Sequence, residues 1–233
     1  MKFTYLLIDF FTFLFPFLLS FHPRSNFYKS WSKFLPAVII TASIFILGDI
    51  YFTKLGVWGF NPKYVLGIYI SNLPLEEVLF FFCIPYACVF TFCRLSPGIK
   101  FQLPRKIETI LVITLTALYA FIAIWNHNRK YTLATFVLLA TLHILAYYNL
   151  KIKWLPKFYL IYGILLIPFL IVNGLLTGTM LTQPVVWYNS NEIIGLRILT
   201  IPFEDIFYGM DLILINLLIF LRPRLKINHE RIG

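Results

Sequence analysis

Seven apolar stretches, each long enough to cross a lipid bilayer, take up most of this chain. They run roughly over Phe3–Phe21, Phe34–Phe52, Leu75–Phe92, Ile107–Trp125, Tyr131–Tyr148, Pro156–Leu176 and Phe203–Leu221. Hydrocarbon offers the backbone no hydrogen-bond partner, so stretches of this length must close their own bonds as helices. The expectation is therefore an all-α integral membrane protein with seven transmembrane helices. Composition agrees: 60% of the 233 residues are hydrophobic and only 13% are charged, against about a quarter in soluble domains. No polar insertion is long enough to form a separate soluble domain.

The basic residues give the orientation. Lys2, Lys54, Lys63, Arg129, Lys130 and Arg197 fall at the N-terminus and in alternate loops. The segments between them hold Arg24, Lys29, Lys33, Arg94, Lys100, Arg105, Lys106, Lys151, Lys153, Lys157, Arg222, Arg224, Lys226 and Arg231. Fourteen against six places the N-terminus outside and the C-terminus in the cytoplasm. The net charge of +10 is then read as charge facing anionic headgroups, not as a nucleic-acid surface. The first stretch follows a single Lys2 and lacks a small-residue cleavage site, so it is expected to stay as a membrane helix. Cys83, Cys88 and Cys93 recur at intervals of five, about 140° apart on a helix, and share no face. Neither they nor the scattered His22, His143 and His229 show metal-ligand spacing, and no metal is expected.

Two segments repeat one pattern. "GIYISNLPLEEVLF" from Gly67 and "GLRILTIPFEDIFY" from Gly195 each read glycine, six residues, proline, one apolar residue, an acidic pair and an apolar run. Trp58 and Trp187 stand upstream of the two glycines. The spacing predicts an internal duplication. Residues 1–105 and 129–233 would be two three-helix repeats, and 106–128 a linker helix that keeps both copies in one orientation. The result is a parallel 3+1+3 plan with a pseudo-two-fold axis along the membrane normal.

In that topology the polar residues gather at the outer leaflet. Glu76 and Glu77 begin the third helix, and Glu204 and Asp205 the seventh. Asp49, Asn126 with His127, and Asn173 lie near the outer ends of the second, fourth and sixth, while Asp9 lies in the outer half of the first. Asp211 follows Glu204 by seven residues with Tyr208 between, so the three share one stripe. Ionisable groups inside a membrane are costly and mark working sites. A plainer reading also exists, since proline suits the first helical position and carboxylates favour the positive end of the helix dipole. Two carboxyls close together in low dielectric cannot both ionise cheaply, so burial favours one retained proton; the helix end favours the anion. If burial wins, the site holds a proton donor beside a carboxylate that can take a proton back, which suits acid–base chemistry on an apolar substrate. Phe80, Phe81, Phe203, Phe207 and Tyr208 could stabilise a carbocation through their ring faces.

"LPLEEVLFF" and "IPFEDIFYG", each opening a membrane helix, resemble the membrane-embedded lycopene cyclases. The Pro-x-Glu-Glu/Asp motif of that family is matched at Pro74–Glu77 and Pro202–Asp205, and the chain is similar to a fused form of the two small bacterial subunits. The resemblance implies a non-redox isomerisation in the bacterial-type inner membrane. A proton adds to the terminal double bond of lycopene, the cation closes on the next double bond, and proton loss leaves a β-ionone ring. It implies Glu76, Glu77, Glu204 and Asp205 as acid–base residues, and Asp49, Asn72, Phe80, Asn126, Asn173, Tyr208 and Asp211 as substrate-binding or orienting residues. Lycopene and membrane lipid are the implied partners, with association to other carotenoid-pathway enzymes. The chain has no G-x-G-x-x-G fingerprint and no cofactor is expected. The runner-up is a small-molecule transporter with a parallel three-helix repeat, whose polar residues would sit nearer the midplane. A retinal-binding seven-helix protein would need a lysine within Phe203–Leu221, which has none.

Overall fold

The computed structural model describes residues 1–222; Arg224, Lys226 and Arg231 of the basic tail lie outside the described residues. Within them the chain forms seven α-helices: α1 Thr4–Ser20, α2 Trp31–Lys54, α3 Leu75–Leu95, α4 Arg105–Trp125, α5 Lys130–Ile144, α6 Leu155–Leu176 and α7 Phe203–Phe220. A 3-10 turn over Phe27–Ser30 leads into α2, and α5 runs on through a π-type turn over Leu145–Asn149. Counting these continuations, the spans that include α2, α3, α4, α5 and α6 are long and apolar enough to cross a membrane. α1 is apolar but has 17 residues, and the 18 residues of α7 carry three carboxylates. The protein is a helical membrane protein.

The all-α expectation missed six short strands: β1 Trp58–Phe60, β2 Tyr69–Ile70, β3 Leu73–Pro74, β4 Val186–Tyr188, β5 Arg197–Ile198 and β6 Ile201–Pro202. Runs of two or three residues between long apolar stretches give no period to read. β2 with β3 and β5 with β6 form two-residue hairpins, and β1 pairs with β4 antiparallel, Gly59 opposite Trp187. Ser71 and Leu199, first in their two-residue turns, both take positive φ, 59° and 58°, where glycine is the usual choice. All six strands lie at the end of the bundle where α1, α3, α5 and α7 begin. Gly59 is required there, because an added Cβ would stand 2.4 Å from the Trp187 ring.

Toward the opposite end a large hydrocarbon cluster packs the helices together. Phe34 of α2, Val89 and Phe90 of α3, Leu155, Phe158 and Ile161 of α6, and Leu214 and Leu217 of α7 form one buried cluster. The outward faces keep their apolar side chains exposed, as with Phe15, Leu47, Ile110 and Ile167. That pattern belongs to a lipid solvent, because water would drive such residues inward.

Candidate active site

The two acidic pairs are presented by matching hairpins. Gly67 and Gly195 turn the chain at φ +88° and +90°, a region L side chains rarely enter. The hairpin returns so that the Leu75 N–H donates to the Ile68 carbonyl at 2.8 Å and the Phe203 N–H to Leu196 at 3.0 Å. Pro74 and Pro202 cap their helices with extended backbone, ψ 149° and 141°. They do not occupy the first helical position that the sequence suggested; they are the last strand residues. The first turn of each helix then delivers two carboxyls to different places.

The first acid of each pair turns back to its own loop. Glu76 Oε1 accepts the Leu66 N–H at 2.6 Å, and Glu204 Oε1 accepts the Ile194 N–H at 2.6 Å. Both side chains are fully buried. Glu204 also accepts the Thr132 hydroxyl at 2.6 Å. Each closes an otherwise unsatisfied loop N–H just before the left-handed glycine.

The second acids face each other's half across one cavity. Glu77 Oε2 accepts the Tyr5 hydroxyl at 2.6 Å, and its other oxygen has no hydrogen-bond partner among the described residues. Asp205 accepts from two phenols, Tyr131 at 2.7 Å and Tyr188 at 3.0 Å. Burial first, and the Asp205 carboxylate second, push the Tyr188 phenol well above its usual range, so it stays a donor. Asp49 of α2 is a third carboxyl on the cavity wall, 2% exposed. Rings crowd this end: Trp58 lies 5.0 Å from Tyr131, and Tyr208 is 5.6 Å from Tyr131 and 5.0 Å from Phe45.

The cavity has a volume of about 790 Å3 and is otherwise apolar. It follows α3 from Glu77 to Thr91, about 21 Å at the helical rise. Leu7, Phe11 and Phe15 of α1 and Ile171 of α6 line it while being about half or more exposed on the outer surface. The cavity therefore opens sideways between α1 and α6, toward lipid. Pro16 and Pro168 stand at this rim, one in each helix. Gly209 of α7 leaves room for the Tyr162 hydroxyl, which an added Cβ would meet at 3.1 Å.

The sequence candidates divide. Glu77, Asp205, Asp49, Phe80, Asn173 and Tyr208 meet in the cavity. Glu76 and Glu204 lie outside its wall, in the first turns of α3 and α7, bonded to the loops. The Asn72 amide donates to Ile50 at 3.0 Å, fastening the first hairpin to α2, and Asn126 accepts Arg129 at 2.7 Å in the turn into α5. Asp211 is fully buried outside the cavity wall. Sequence reasoning missed Tyr5, Tyr131 and Tyr188, the donors to the two cavity acids. A tyrosine in the first turn of α1 and another in the first turn of α5 was the available signal.

Among known proteins, the sequence model described as "Lycopene cyclase" matches residues 2–95 and 128–222. No curated protein and no solved structure matches the chain. The unmatched stretch between the two segments, 96–127, contains the whole of the third-to-fourth loop and of α4.

Proposed function

The chain belongs to the lycopene cyclase family, and from that premise we propose that it closes β-ionone rings on lycopene by acid–base isomerisation. The observation that carries this reading is the meeting of Glu77 and Asp205 at one end of an elongated apolar cavity that opens toward lipid. A linear polyene end enters between α1 and α6 and lies along α3, its terminal double bond toward the acids. Glu77 is the donor, because one of its oxygens is free toward the cavity. Its proton adds to the terminal double bond, the tertiary cation is attacked by the next double bond, and a carbon–carbon bond closes the ring. Asp205, held by two phenols, faces the cation as an anion and removes the proton that leaves the ring double bond. The rings of Trp58, Tyr131 and Tyr208 face the positive charge in between. Glu76 and Glu204 hold the loops that aim these residues.

The same reading places the strand end outside, with seven spans in a 3+1+3 repeat in a bacterial-type cytoplasmic membrane. Each half contributes the second acid of its pair to one shared cavity, so the protein cyclises one chain end per visit. The test is expression in cells that accumulate lycopene, followed by pigment analysis. γ- or β-Carotene is expected; unchanged lycopene with the protein present in the membrane would refute the proposal.

A further inference from the structure

The cyclisation leaves the enzyme altered. The donor has lost a proton to the substrate and the base has gained one, so each turnover must end with a proton entering one group and leaving the other. A set of buried groups that the chemistry above does not use extends from the cavity toward the opposite end of the bundle. Asp211 lies one turn beyond Phe207 on α7, fully buried, and neither carboxyl oxygen has a hydrogen-bond partner among the described residues. Tyr119 of α4, 3% exposed, has its ring 5.9 Å from Phe207 on that face. On the other side Tyr119 meets the ring of His143 of α5 at 5.3 Å, and His143 stacks on Tyr159 of α6 at 5.8 Å.

His143 is fully buried with its Nδ1 2.8 Å from the Leu139 carbonyl. A carbonyl can only accept, so Nδ1 carries the hydrogen and Nε2 of the neutral ring is a bare acceptor. Among the described residues Nε2 and the Tyr159 hydroxyl are both buried without a partner. Glu108, in the first turn of α4, completes the set. Its Oε2 meets the exposed Arg105 at 3.3 Å, while Oε1 is buried with no partner among the described residues. Four helices thus each contribute a side chain able both to give and to take a proton, between a surface ion pair and the stripe that carries Tyr208 into the cavity. Unpartnered buried polar groups each cost about 1–3 kcal/mol, which a merely structural packing would avoid with hydrocarbon. Asp9 of α1 is also buried, with two oxygens unpartnered among the described residues.

We propose that Glu108, Tyr159, His143, Tyr119 and Asp211 form a proton relay that exchanges the cavity acids with water at the end of the bundle away from the strands. In each step one group gives its proton to the next and receives another from behind. Run inward the relay returns one proton to Glu77, and run outward it removes one from Asp205, so the two transfers cancel over a turnover with no bond to carbon made or broken. The proposal rests on the acid–base reading, and the two fail in different ways.

The test uses the full-length protein in liposomes with lycopene, in heavy water, reading turnover and deuterium per ring by mass spectrometry. The wild type is expected to give about one deuterium per ring, because the added proton stays in the product. Asp211→Asn and Tyr119→Phe, two shape-conserving changes, are each expected to lower the deuterium content, or to slow turnover about tenfold or more with recovery on adding azide, a small mobile proton carrier. A packing defect would show neither signature. If one variant fails to reach the membrane, the other carries the test. Wild-type deuterium content in the variants that assemble, with turnover unchanged or insensitive to azide, overturns the relay. Absence of any cyclised product from the wild type overturns the acid–base reading and the relay with it.

Discussion

Replacing Glu77 by glutamine keeps the side-chain shape and one accepting oxygen but removes the proton it can give. Tyr5 still has a partner for its hydroxyl, so the cavity wall at 2.6 Å should survive. What disappears is proton transfer, which contributes about 10²–10⁴ in rate, or roughly 2.7–5.4 kcal/mol of barrier. The neighbouring Glu76→Gln is the matched control. Its Oε1 accepts one loop N–H at 2.6 Å and an amide oxygen can do the same, so a loss of about tenfold or less per molecule is expected. Glu76→Ala differs again, since it strands a buried N–H and should cost about 1–3 kcal/mol of stability. The assay is carotenoid conversion in lycopene-accumulating cells, normalised to membrane-inserted protein, with thermal inactivation in detergent for stability. If Glu76→Gln were as inactive as Glu77→Gln at normal protein levels, the separation of a loop-holding acid from a proton-donating one would be wrong.

Other outcomes follow from the same geometry. Tyr5→Phe removes the hydroxyl that donates to Glu77 and should slow conversion about 10- to 100-fold, because that bond strengthens as Glu77 becomes an anion on giving up its proton; wild-type rates would exclude a role for it. Tyr131→Phe with Tyr188→Phe should exceed either single change, because both phenols hold Asp205, and steady-state kinetics of the three variants decide this. Gly59→Ala should lower thermal stability by about 1–3 kcal/mol through overpacking on Trp187, and an unchanged inactivation temperature would contradict the β1–β4 packing. Ile171→Trp at the rim should reduce uptake of lycopene from liposomes while leaving the protein correctly inserted; an unchanged KM would move the entrance elsewhere.

Helix order was readable because each span is a long apolar run, and the structure moves most boundaries by only a few residues. The matched placement of the acidic pairs was readable, because they repeat with their glycine and proline. Spacing could not show that the two members of a pair point apart. That depends on φ at Gly67 and Gly195 and on which loop N–H lacks a partner, and both are properties of the closed hairpin. Tyr188 was illegible for a related reason: it reaches Asp205 only because β4 pairs with β1, a contact between residues more than a hundred positions apart. Asn126 read as a site residue because it lies at the same end of the bundle as the acids, yet its side chain serves the turn into α5.

The β1–β4 ribbon ties Trp58–Phe60 of one family-matched segment to Val186–Tyr188 of the other, backbone to backbone. Its register needs no covalent link between them. A gene cut within the loop between α3 and α4 would thus yield two polypeptides, each carrying one acid and one wall of the chamber, and neither would cyclise anything when produced singly. Produced together, they should find each other through the strand edge each exposes, and complementation in trans would restore pigment.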